Sequence, residues 1–138
     1  MNDPVLEPAA YWTGEAHRAL IAFTRSREAA LGLTHPQLCL LGALLEQDGR
    51  TIGELGRALR PHIATTDDLP AEAEALLDDG YIRVDASGRL WATAAGREAC
   101  AGVRRHLPEI TERIHRGIAD ADYDAALAVL QQMIRNVT

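Results

Sequence analysis

The sequence predicts a mainly α-helical fold carrying one small β-hairpin, and three observations lead there. Thr51 precedes Glu54 by three residues in a capping-box pattern, with Ile52, Leu55 and Leu59 spaced for one buried helix face. A second helical stretch follows Pro61 and ends at Asp79-Gly80. Tyr81-Ile82-Arg83-Val84 and Leu90-Trp91-Ala92-Thr93 then read as strands around the turn Ala86-Ser87-Gly88-Arg89. Helix, turn, helix and hairpin in this order, over Thr51–Gly96, make the winged form of the helix-turn-helix. The second helix of that motif ordinarily enters the DNA major groove.

Met1 to Glu7 read as a loose arm. Pro8 suits the first turn of a helix running to about Leu31, with Gly32 as its stop. Its apolar stripe of Trp12, Ala16, Ala19, Leu20 and Phe23 is too long to hide against one small wing. Thr34 and Gln37 form a second capping box, opening a helix with Leu38, Leu41, Leu44 and Leu45 inside. Asp48-Gly49 ends it, and the helix of Thr51 follows.

Beyond the hairpin, Thr93 caps a long helix from about Ala94 towards Ile118, which Pro108 should kink or break. Ile110, Ile114 and Ile118 continue the stripe. Asp122 is expected to cap a last helix bearing Leu127, Leu130, Met133, Ile134 and Val137. Apolar stripes at both ends of one chain imply a homodimer with interleaved termini, or else a monomer with these helices folded back. The organisation expected is one domain over 1–138. Residues 34–96 form its winged helix-turn-helix, and 8–31 and 98–138 its dimerisation helices.

A chain of 138 residues suffices for one domain with a real core. It shows no signal segment and no run of 18 apolar residues, so a soluble, cytoplasmic protein without a membrane partner is expected. All 14 basic residues are Arg, which reads as the coding bias of a GC-rich bacterium. Cys39 and Cys100 have no metal-type spacing and read as buried apolar residues. The five histidines are scattered, without an i, i+4 pair, so neither a metal nor a cofactor is expected. No nucleophile elbow, phosphate-cradling loop or catalytic motif is present. His62 beside Thr65 and Thr66 is either a polar cluster or a capped turn. Trp91 either faces a partner or lies over the hairpin.

The chain resembles the MarR family of ligand-responsive bacterial repressors. The resemblance rests on Leu33-Thr34-His35-Pro36-Gln37-Leu38, Thr51-Ile52-Gly53-Glu54-Leu55, Leu76-Leu77-Asp78-Asp79-Gly80-Tyr81-Ile82 and Ala92-Thr93-Ala94-Ala95-Gly96-Arg97. The tail from Gly117-Ile118-Ala119-Asp120 through Asn136-Val137 extends it over nearly the whole chain. It implies a homodimer that binds duplex DNA through paired wings and recognition helices. It also implies a pocket for a small aromatic or apolar ligand where the winged domain meets the dimer helices. Trp12, Phe23 and Cys39 are candidate lining there, with His35 and Arg104 as polar contacts.

One departure from the family pattern bears on function. The first turns of the recognition helix, where the family usually carries Ser, Thr and Arg, hold Asp67, Asp68, Pro70 and Ala71. Residues 61–83 contain six acids and one Arg, a net of −5, while the rest holds 14 acids and 13 Arg, a net of −1. DNA-binding proteins normally present a basic face, and carboxylates at a helix N-terminus occupy the end that would receive a phosphate. Pro70 also disfavours helical geometry at Leu69, so the helix is expected to start only at Pro70. Other roles are open to these acids: Asp67 and Asp68 as N-caps, or a carboxylate accepting from cytosine N4. Arg50, Arg57, Arg60, Arg83 and Arg89 are the candidate phosphate contacts, with Thr65, Thr66, Asp67, Asp68 and Ala71 as candidates near the bases. Two functions therefore fit. One is a ligand-responsive, DNA-binding dimer. The other is a MarR-like fold that has lost DNA binding and serves ligand binding, biosynthesis or a protein partner.

Overall fold

The computed structural model describes residues 7–138, so all of the expected arm but Glu7 lies outside the described residues. The elements are α1 (Pro8–Ala30), α2 (His35–Glu46), β1 (Arg50–Thr51), α3 (Ile52–Leu59), a 3-10 turn (Arg60–His62) and α4 (Leu69–Asp78). They continue with β2 (Ile82–Val84), β3 (Arg89–Ala92), α5 (Ala94–Arg104), α6 (Leu107–His115) and α7 (Asp120–Val137). These fall into two compact units, one ending at His106 and the other spanning Leu107–Thr138. No helix of the described residues is long and apolar enough to cross a membrane.

Side-chain caps set most helix starts. Glu7 accepts from the N–H groups of Ala9 and Ala10 at the head of α1. Thr34 and Gln37 form the full reciprocal box on α2, and Thr93 caps Gly96 N–H on α5. At Thr51 only half of the expected box forms. The Glu54 N–H bonds the Thr51 hydroxyl, which in turn donates to the Glu54 carboxylate at 3.1 Å. Thr51 is at the same time a strand residue, paired with Arg89. At the far ends, Gly32 and Gly80 take positive φ (108° and 76°), as the residue after a helix must to turn its N–H back onto the last carbonyls.

The core of the first unit centres on α2, whose Leu40, Leu41 and Leu44 are fully buried among Leu55 of α3, Leu76 of α4, Ile82, Leu90, Cys100 and Val103. The sheet, in the order β1-β3-β2, is antiparallel throughout, with Arg50 opposite Leu90 and Ile82 opposite Ala92. β1 is not among the expected elements, because two residues carry no alternation for a sequence reading to detect. Gly96 lets α5 pass against the sheet, since a Cβ there would lie 2.0 Å from the Tyr81 carbonyl oxygen.

The expected break at Pro108 separates α5 from α6, and α6 stops at His115 rather than Ile118. Asp122 does not cap α7: the helix starts at Asp120 behind Ala119, without a side-chain cap, and Asp122 lies in its first turn. In this second unit the His115 ring lies against Tyr123, centroids 4.0 Å apart. Val129, Ile134 and Val137 of α7 are exposed, and so are Trp12, Leu20 and Ile21 of α1 in the first unit.

Candidate nucleic-acid interface

α3, the 3-10 turn and α4 form the helix-turn-helix, and β2 and β3 form the wing. α4 starts at Leu69, one residue earlier than Pro70 predicts. Asp68 absorbs the extended conformation (φ −104°, ψ 90°) and accepts the Ala71 N–H at 3.1 Å, so Leu69 enters the helix as its first residue. The restriction before proline is a bias, and here the cap and the burial of Leu69 outweigh it.

Two of the six acids between 61 and 83, Asp67 and Glu72, are turned into the protein, and a third, Asp68, caps α4 from the surface. Asp67 takes both arms of Arg25 on α1, at 3.0 and 2.9 Å, and closes a turn by accepting Ala64 N–H at 2.7 Å. The Arg25 guanidinium holds the Asp67 carboxyl below the usual carboxylate range, and Asp67 in turn raises Arg25. Asp68 is the cap. Glu72 accepts from the Thr34 hydroxyl at 3.1 Å and from the Gln37 amide at 3.2 Å, joining the first turns of α4 and α2.

Exposed over residues 52–92 are four acids, Asp68, Glu74, Asp78 and Asp79, and four arginines, Arg57, Arg60, Arg83 and Arg89, while Glu54, 3.5 Å from Arg89, and Asp85 are half-exposed. Thr65, Thr66 and Ala71 are exposed beside them. Arg50 is turned inward: its guanidinium donates to the carbonyls of Gln47 and Ala43 at the end of α2, where a cation suits the helix dipole. In the wing, Trp91 lies over the hairpin, with the Arg83 guanidinium 5.2 Å from its ring. Its indole N–H donates to Asp85 at 2.9 Å, which depresses that carboxyl. Asp85 also accepts the Ser87 and Arg89 N–H groups, and Arg89 donates to the Gly49 carbonyl at 2.8 Å.

Of the candidate ligand residues, His35 and Cys39 are joined directly, Nε2 to Sγ at 3.5 Å. The same imidazole bridges Glu28, buried on α1, through Nδ1 at 2.9 Å and the His62 carbonyl through Nε2 at 3.1 Å. Burial pushes the Cys39 thiol up. Trp12 is exposed and stands edge-on to Tyr11. Phe23 lies beneath the Arg27 guanidinium, and Arg104 packs on Gly42. Among the described residues no group of three or more His, Cys, Asp or Glu is placed to hold a metal ion.

No protein-family model and no curated protein matches the chain. Solved structures do. A MarR-family transcriptional regulator from Silicibacter pomeroyi is 28% identical, with 94% of this chain and 90% of that one covered and a TM-score of 0.60. A Mycobacterium tuberculosis MarR family protein in complex with DNA is 18% identical over 96% of this chain and 98% of that one, at a TM-score of 0.71. The transcriptional repressor CouR, bound to p-coumaroyl-CoA, is 23% identical over 91% of each chain, at 0.70.

This chain has the MarR-type winged-helix fold. In that MarR-type frame α4 is the second helix of the helix-turn-helix, and the residues a sequence reading misses are Arg25, Glu28 and Glu72. Arg25 and Asp67 are 42 positions apart, so no local spacing announces their pairing. Glu28 reads as one more acid on an exposed helix until the fold buries it beside His35.

Proposed function

We propose that this chain is a MarR-type transcription regulator, a homodimer that binds duplex DNA through α4 and the wing and answers to a small ligand. The observation that carries the DNA reading is the internal use of Asp67 and Glu72, with Asp68 serving as cap. The outward face of the helix-turn-helix and wing is thereby less acidic than the count over residues 61–83, and Arg57, Arg60 and Arg83 are exposed on it for contact with phosphates. The dimer reading is supported by the exposed apolar residues of α1 and α7, which match the helices expected to dimerise within 8–31 and 98–138 of a single MarR-like domain. Ligand response is assigned to the group of Glu28, His35 and Cys39 beside the turn before α4.

The second reading, a MarR fold without DNA binding, is favoured by Asp68, Glu74 and Asp78, which remain exposed on α4. Retention of genomic DNA fragments at low salt, followed by salt titration, separates the two. The first reading expects binding whose log affinity falls with log salt by about 0.9 per phosphate contact, with a shallower slope in Arg57→Ala and Arg60→Ala. Failure to retain any fragment at the lowest salt leaves the second reading standing. Sedimentation at micromolar concentration tests the dimer, and a single-chain mass refutes it.

A further inference from the structure

We propose that Arg25 is the positioning residue of α4: through Asp67 it sets how the helix is rotated and where its first turn begins. That α4 then reads DNA rests on the function proposed above. Asp67 stands one residue before the Asp68 cap and receives three donors, both arms of Arg25 and the Ala64 N–H. A carboxylate held by a planar fork and a backbone N–H has little freedom to turn, unlike one paired with a single ammonium. The pair is also mostly out of solvent, with side-chain exposures of 30% for Arg25 and 12% for Asp67. Arg25 Nε is buried with no acceptor, so the guanidinium depends on Asp67 for its compensation. This favours one geometry and penalises its loss.

A second anchor on α4 makes the first one directional. Glu72 points inward to Thr34 and Gln37, the two residues of the α2 capping box. With Asp67 held by α1 and Glu72 held by α2, the helix is fixed in rotation as well as in position. The inward carboxylates decide that Asp68, Ala71, Glu74 and Asp78, spaced three and four apart, form the outward face. The acids that make this helix look unfit for DNA are in part its fastenings. A shift of α1 is consequently delivered to the start of α4 through Arg25.

The test uses the full chain with Arg25→Gln, Arg25→Lys and the exchanged pair Arg25→Asp/Asp67→Arg. Hydrogen exchange is read without DNA at the amides of Ala64 and Asp67, hydrogen-bonded in the turn before α4, and of Ala71 and Glu72, hydrogen-bonded in its first turn. Arg25→Gln should speed their exchange about tenfold while amides of the wing keep wild-type rates. Arg25→Lys and the exchanged pair should recover part of the protection. DNA affinity should fall about tenfold in Arg25→Gln with an unchanged salt slope, because the Arg25 guanidinium is engaged by Asp67 rather than offered to a phosphate. Equal acceleration in the wing, or no acceleration at α4, overturns the proposal, as does a salt slope shallower by about one unit per subunit. Selective acceleration at α4 in a protein that retains no DNA supports the positioning role and removes only the DNA reading.

Discussion

Replacing Gly96 by alanine tests the contact on which the wing is seated. The added Cβ would stand 2.0 Å from the Tyr81 carbonyl oxygen, 2.9 Å from its carbon and 3.2 Å from Leu41 Cδ2. Real Cβ contacts essentially never fall under 3.0 Å, so α5 and the start of the wing must part by about 1 Å. The carbonyl cannot simply swing aside, because it already accepts the Thr93 N–H at 3.1 Å. Overpacking costs about 1–3 kcal/mol, and a backbone obstacle puts this site at the top of that range. Better helix propensity returns up to about 1 kcal/mol, leaving a net loss of about 2 kcal/mol. For a chain of 138 residues this corresponds to a melting temperature lower by roughly 6–10 °C. Thermal unfolding followed by far-UV circular dichroism reads it directly. Gly56→Ala is the control, since its Cβ meets nothing within 4 Å and α3 should gain about 0.5–1 kcal/mol. A Gly96→Ala protein that melts at or above the wild type, beside a Gly56→Ala protein that behaves as expected, refutes the close approach.

Two further outcomes follow from the charged contacts. The Asp67 carboxyl is held below its ordinary range in the folded state, so its pairing stabilises the protein above about pH 4. That contribution is lost as pH falls through the lowered folded value. Asp67→Asn should therefore lose less stability than the wild type between about pH 6 and about pH 3, read as the change in urea midpoint; an equal loss in both proteins contradicts the pairing. In a Trp12→Phe background, which leaves Trp91 as the only tryptophan, Asp85→Ala should shift indole emission to the red as the N–H exchanges its carboxylate for water. Unchanged emission means that the indole is held without Asp85.

Much of the fold was legible because its signals are short-range. The Thr34 and Gln37 box, the Thr93 cap, the Gly32 stop and the break at Pro108 act within a turn of the residues that announce them. The apolar spacing of Leu38, Leu41 and Leu44 likewise anticipates the buried face of α2. Where the reading erred, two local rules competed at one place. Pro70 argues for a late helix, Asp68 for a cap, and the buried Leu69 settles the matter. At α7 the first turn holds both Asp120 and Asp122, and neither is the cap.

By itself the sequence determined the order of the helix-turn-helix and its two wing strands, most of the caps, the buried face of α2 and the charge carried by residues 61–83. Caps and periodicity are properties of neighbours along the chain, and every neighbour is visible in the string. Only the tertiary structure decided what that charge does. A count of acids has no direction, and Asp67 and Glu72 acquire theirs from Arg25 and Thr34, which are 42 and 38 residues away. The pairing of β1 with β3 and the bridge from Glu28 through His35 to the His62 carbonyl belong to the same class. Each depends on which surfaces pack together, and packing brings together residues that the chain keeps far apart.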